Sequence, residues 1–170
     1  MENSKAMLLE AAARLKAKPQ ELAGRIQTHI EEIKELKRLL EQYKAKEAAG
    51  EVDRFLFSSH DVGGLKVITA VIPDADANKL RQMGDMLREK DPNVVAVLES
   101  NNGDKPTFLA TCGKAAVARG IKAGELVKLV CCACGGSGGG KPDSAMGGGK
   151  DLLKVDNALA LVDDFVAEKV

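Results

Sequence analysis

The chain has 170 residues, 45% of them apolar, which is enough for one ordinary domain or a small domain with an extension and too many for a disordered polypeptide. Twenty-five Lys and Arg balance twenty-five Asp and Glu, so net charge names no partner and only its distribution is informative. No run of about 18 apolar residues exists and the N-terminus lacks a signal-peptide core. With three of the four cysteines crowded at positions 131, 132 and 134, in the manner of reduced thiols, this leads to the expectation of a cytoplasmic protein with no membrane contact.

In chain order, Met7, Leu8, Ala11, Ala12 and Leu15 recur at helical spacing until Pro19 interrupts them. From Glu21 onward Leu22, His29, Leu36 and Tyr43 stand seven apart, with Ile26, Ile33 and Leu40 on a second series. The pattern predicts a coiled-coil or helical-hairpin seam of about three heptads that must pack on another element or on a second copy. Glu31 with Lys34, Glu35 with Arg38 and Glu41 with Lys44 are opposite charges three apart on its outer surface. Residues 48–51 (AAGE) are the expected linker, because Gly50 can end a helix, so residues 1–50 form a helical arm and 51–170 a globular unit.

In the globular unit DRFLFSSHDV is predicted as a strand, Gly63 and Gly64 as a turn, and 66–72 as a second strand. A helix follows, with Leu80, Met83 and Leu87 on one face, Asp74 as its cap and Pro92 at its close. NVVAVLES reads as a buried strand, NNGD as a turn and KPTFLATC as a further strand. The expected fold class is therefore α+β, a mixed sheet packed by helices behind a helical arm. Between Glu125 and Cys134 a helix is preferred to a strand, because Leu126, Val127, Val130, Cys131 and Cys134 fall on one helical face. Residues 135–149 read as a glycine-rich loop, and Leu152, Val155, Leu159, Val162 and Val166 mark a terminal amphipathic helix with Asp151 near its start.

Chemistry concentrates in residues 101–150, where seven Lys and Arg face three acids. Cys131 and Cys134 have half of a zinc-knuckle spacing, but no second C-x-x-C or H-x-x-x-H completes it. Gly135 to Lys141 follows the first seven positions of the phosphate-loop pattern G-x-x-x-x-G-K, then fails where Pro142 replaces the hydroxyl that would bind magnesium. Nucleic acid remains: glycines expose successive backbone N–H groups to phosphate and 2′-hydroxyl oxygens, and lysines flank them. Aromatic residues are too few for base stacking, so shape and backbone readout would have to serve. The bland alternative is a tight hinge that lets the last helix pack.

The segment GGSGGGKPDSAMGGGKD followed by an amphipathic helix resembles the C-terminal signature of alanyl-tRNA synthetases, whose usual form is GGGGGGRPDMAQAGGKD. LEAAARLKAKPQELAGRI before a charged heptad helix, and IKAGELVK before the glycines, extend the resemblance over essentially the whole chain. Gly138, Gly139, Gly140, Lys141, Pro142 and Asp143 fall on the signature, as do Ala145, Gly148, Gly149, Lys150 and Asp151. Lys141 replaces the usual Arg and loses its planar fork, and Gly147 stands where the usual form has Ala.

The resemblance implies a helical part with a small globular domain related to the DHH-associated domain of phosphoesterases. It also implies binding of alanine-specific tRNA at the outer corner of the folded RNA, a link between aminoacylation and editing, and, in some members, dimerisation through the helical arm. The ATP-dependent activation domain and zinc-dependent editing site of such enzymes lie upstream, so ATP, magnesium and zinc belong to the parent enzyme. No catalytic residue, metal ligand or cofactor is expected in this stretch, and DNA is not an expected partner. RNA contact is expected from Lys105, Lys114, Arg119, Lys122, Lys128, Gly138, Gly139, Gly140, Lys141 and Lys150. An enzymatic alternative is the substrate-binding half of a DHH-type phosphoesterase, with Lys141 in the place of the His in its G-G-G-H loop; a third is a pure oligomerisation arm.

Overall fold

The computed structural model describes residues 2–101 and 103–170. The chain divides into two compact units, Met1–Lys46 and Glu47–Val170. In the first unit helix α1 (Glu2–Arg14) ends where Lys16 takes a left-handed φ of 48° and the Ala17 N–H bonds the Ala12 carbonyl at 2.9 Å. Here a lysine performs the helix-ending role that usually falls to glycine. Pro19 then opens a 3-10 turn, Pro19–Glu21, that leads into helix α2 (Leu22–Phe57). Ala12 and Leu22 are buried, whereas Ile26, Ile33, Leu36, Leu40 and Tyr43 are exposed, so most of the heptad seam faces solvent in the single chain. Of the three predicted ion pairs on that surface only Glu35 with Arg38 forms among the described residues, and the guanidinium's hydrogen bonds hold the Glu35 carboxyl below its usual range.

Helix α2 does not stop at Gly50, and the expected strand over residues 53–57 is its last turns. The reason is tertiary. Ala48 and Val52, one turn apart, are buried in the apolar cluster of the second unit, and that burial outweighs the cost of about 1 kcal/mol for a glycine inside a helix. Only His60–Val62 (β1) of the predicted strand is extended, and it joins Leu65–Val71 (β2) through Gly63 and Gly64, which have φ of 60° and 86° as a two-residue hairpin turn requires. Helix α3 (Ala77–Lys90) follows, capped by Asp76, whose carboxylate accepts the Lys79 N–H at 2.7 Å; the predicted cap, Asp74, instead sits in the left-handed region with φ 57°. Strands β3 (Val94–Asn101) and β4 (Pro106–Cys112) form as predicted; the turn between them includes position 102, which lies outside the described residues.

After β4 come α4 (Lys114–Ala118), α5 (Ala123–Ala133), β5 (Ser137–Gly140), β6 (Ser144–Gly148) and α6 (Val155–Lys169). The sheet has the order β1-β2-β3-β4-β6-β5, with β2 and β3 parallel across α3 and every other pairing antiparallel. It is the mixed sheet that two hairpins and a crossing helix imply. One face packs on α4, α5 and α6 through Phe108, Ala110, Val127, Val130, Val162 and their neighbours; the other packs on α3 and the end of α2 through Leu80, Met83, Leu87, Leu98 and Leu109. Covered on both sides, β3 is buried from Val94 to Ser100, which is why its sequence is apolar without a break from Val94 to Leu98.

Candidate nucleic-acid interface

The glycine segment is a β-hairpin at the sheet edge and not the loop between two helices that its composition indicates. Ser137 to Gly140 pair with Gly148 to Ala145, and Ala145 to Gly148 pair in turn with Ala110 to Thr107. The Lys141 N–H bonds the Ser144 carbonyl at 3.0 Å and closes the turn around Pro142 and Asp143. Bonded pairs alternate in an antiparallel ladder, so the amides of Ser137, Gly139 and Lys141 turn inward to β6. The same alternation sends those of Gly138 and Gly140 off the free edge. Gly149, Lys150 and Asp151 also donate to carbonyls, of Pro106, Cys134 and Cys134. A continuous cradle of free amides, as the sequence reading pictures it, is therefore not formed.

Close packing explains the glycines better than anion binding does. A Cβ on Gly147 would lie 2.5 Å from the Gly138 Cα and 2.6 Å from the Cys131 Sγ. The hairpin thus lies flush on α5, with Cys131 filling the space between them. Burial pushes the Cys131 thiol up to about 12, and the Cys134 thiol rises for the same first reason, so both are inert apolar spacers at neutral pH. Among the described residues no three His, Cys, Asp or Glu side chains come together in a way that could hold a metal.

The predicted cations divide into groups. At the turn end the Ala123 N–H bonds the Pro142 carbonyl at 2.8 Å and the Cys112 N–H bonds the Asp143 carbonyl at 3.0 Å. These bonds bring exposed Lys114, Lys122 and Lys141 to one end of the sheet. Lys105 and Lys150 flank the opposite end, where the Gly149 N–H meets the Pro106 carbonyl. About seven strand residues separate the two ends, some 24 Å at 3.4 Å per residue. Arg119 belongs to neither group, since its guanidinium donates to the Gly63 carbonyl at 2.6 Å and braces the β1–β2 turn. Lys128 stands exposed on the outer side of α5.

The sequence reading passed over Arg88. From the last turns of α3 its guanidinium donates to the Asp143 carboxylate of the hairpin turn and, at 2.7 Å, to Asp85 on its own helix. Arg81, two turns earlier, reaches the Met146 sulfur at 3.1 Å. The seven-residue interval between these arginines was the available signal, but only the fold reveals that β6 runs beside that face. The Thr111 hydroxyl bonds the Asp143 carbonyl at 3.2 Å and the Gly84 carbonyl at 3.3 Å, so the turn is held by strand, helix and side chain together. No helix is long and apolar enough to cross a membrane among the described residues.

Comparison with known proteins places this geometry. The DHHA1 domain model matches residues 64–168. Alanine–tRNA ligase of Methylobacillus flagellatus is 43% identical over 164 residues, covering 96% of this chain and 19% of that protein; the Geobacillus kaustophilus ligase is 41% identical over 98% of this chain and again 19% of its own length. The chain thus spans about a fifth of these relatives. The crystal structure of the C-Ala domain from Aquifex aeolicus alanyl-tRNA synthetase superposes with a TM-score of 0.61 at 29% identity, covering 65% of this chain and 98% of that one. With the hairpin, strands β2 to β6 and helices α3 to α5 inside the matched stretch, the chain belongs to the DHHA1 domain family, in the form that alanyl-tRNA synthetases carry as C-Ala.

Proposed function

We propose that this chain is a non-catalytic, tRNA-binding module of an alanine–tRNA ligase, acting on alanine-specific tRNA in the cytoplasm and linking aminoacylation to editing. The observation that carries the reading is the turn end of the hairpin, where Lys141 of the turn, Lys114 at the start of α4 and Lys122 before α5 come to one end of the sheet. Ammonium groups on a surface with few bulky side chains suit the sugar-phosphate backbone of a folded RNA, whose shape and charge are recognised before its bases. Lys141 is a point charge where the usual Arg is a fork, so it attracts phosphate without fixing its orientation. Lys105, before β4, and Lys150, after β6, lie at the opposite end of the sheet, too far to reach the same phosphates, and serve a longer footprint.

The parent enzyme's ATP and metal chemistry belongs to parts of the protein beyond this stretch, and neither DNA nor membrane is a partner in this reading. The exposed apolar stripe of α2 is the surface through which two copies associate. The test is tRNA binding by the chain with Lys114, Lys122 and Lys141 all changed to Glu. Loss of at least tenfold in affinity, with a shallower salt dependence, is expected. An unmodified chain that binds tRNA no better than a DNA duplex of the same length overturns the proposal.

A further inference from the structure

Helix α2 carries a pattern that the hairpin does not use. From Leu22 to Tyr43, intervals of four and three residues put Ile26, Ile33 and Leu40 at one core position of a heptad. Leu22, His29, Leu36 and Tyr43 take the other. Among the described residues of the first unit only Ala12 and Leu22 are buried, and from Ile26 to Tyr43 the apolar members of the seam are 45 to 71% exposed.

The flanking charges choose what covers this seam. Glu32 stands on one flank and Lys37, five residues on, stands on the other. When two copies lie parallel and in register, Glu32 of each faces Lys37 of its partner. An antiparallel pair centred on Ile33 sets Glu32 against Glu32 and loses both attractions. Isoleucine at the first core position with leucine at the second also favours two parallel strands. The Glu35–Arg38 pair lies on the outer side, clear of the contact.

His29 is the polar member of the seam. A parallel pair in register brings the two His29 rings to a single layer between those of Ile26 and Ile33. Glu32, one turn on, accepts the Nδ1–H of the ring at 2.9 Å, and in that tautomer Nε2 keeps its lone pair. A carboxylate behind an imidazole is the arrangement that orients metal-ligating histidines and raises their basicity. Two facing lone pairs repel, and a divalent cation between them turns that repulsion into two bonds. Zinc suits imidazole nitrogen at about 2.0–2.1 Å and takes water to complete four ligands.

We propose that α2 pairs parallel and in register with α2 of a second copy, and that the two His29 Nε2 atoms bind one divalent ion of the zinc class across the pair. The site rests on the association of two copies through α2 and adds to it a direction, a register and a ligand. One copy supplies only His29 and Glu32, so the site exists only in the pair, and the ion strengthens pairing by mass action.

Sedimentation equilibrium of the whole chain, in EDTA and then in zinc, tests this, with the exposed Cys132 thiol removed by Cys132→Ser. Zinc is expected to tighten the dimer at least tenfold, with one ion bound per two chains in calorimetry. His29→Leu should dimerise in EDTA and ignore zinc. Leu36→Cys, which meets its own copy only in the parallel register, should close a disulfide between chains under oxidised glutathione. A chain that dimerises without forming that disulfide overturns the register and with it the site. A dimer indifferent to zinc, or a zinc effect that survives His29→Leu, overturns the site and leaves the association of copies standing. If the chain stays monomeric with and without zinc, both fail.

Discussion

Glu99 lies on β3 among apolar neighbours, 1% exposed, with its Oε1 buried and unbonded. Burial raises its carboxyl above the usual carboxylate range, and Asp156 at the start of α6 adds to the rise. The folded state therefore holds this proton more tightly than the unfolded chain does. The stability so gained is present in full below about 4.3, the usual glutamate value, and is lost as pH rises through the higher folded value. Glu99→Gln, which cannot ionise, should stabilise the protein at pH 7 to 8 by on the order of 1 kcal/mol and gain little near pH 4. Urea melts at both pH values measure it; an equal gain at both would show that the charge is not the cause. Gly147 makes a steric prediction instead. Alanine there needs space now held by the Gly138 backbone and Cys131, so Gly147→Ala should cost about 1–3 kcal/mol, and adding Cys131→Ala should recover part of it.

Elements were legible in the sequence wherever burial gave them a period. The stripes of α3, α5 and α6 and the apolar runs of β3 and β4 appear where their patterns place them. Helix α2 was misjudged at Gly50 because the partners that carry it onward, on α3 and the sheet, are remote in sequence. The hairpin β5–β6 was illegible for a stronger reason: glycine has low strand propensity and no side chain to alternate, so its extended state is imposed by β4 on one side and α5 beneath. The site shared that fate. The lysines could be listed but not grouped until the register put Lys114 beside the turn and Lys150 at the far end. On α2 the unpartnered stripe yields a prediction of its own. If two copies associate through it as proposed, Ile33→Lys with Leu40→Lys should leave only monomer in sedimentation at every concentration, without altering the melting of the second unit.

For the molecule as a whole, the division at Lys46 and Glu47 separates an arm whose apolar residues are mostly exposed from a unit with apolar cores on both faces of its sheet. Stability follows buried apolar area, so residues 47–170 should unfold in one cooperative transition with the arm removed. If the RNA-binding cations are those of the hairpin turn, that shortened chain should also keep its single-copy affinity for tRNA. Salt gives the sharper measure. Each phosphate neutralised contributes about 0.7 to 0.9 to the slope of log affinity against log salt, so removing Lys114, Lys122 and Lys141 together should reduce the slope by about 2 to 3. Replacing Arg119, already spent on the Gly63 carbonyl, should leave the slope unchanged and lower only the melting temperature. A slope that responds to Arg119 or Lys128 but not to the turn lysines would move the RNA to the α5 side of the sheet. In that event the glycine hairpin is a packing device, and its charges keep it in water.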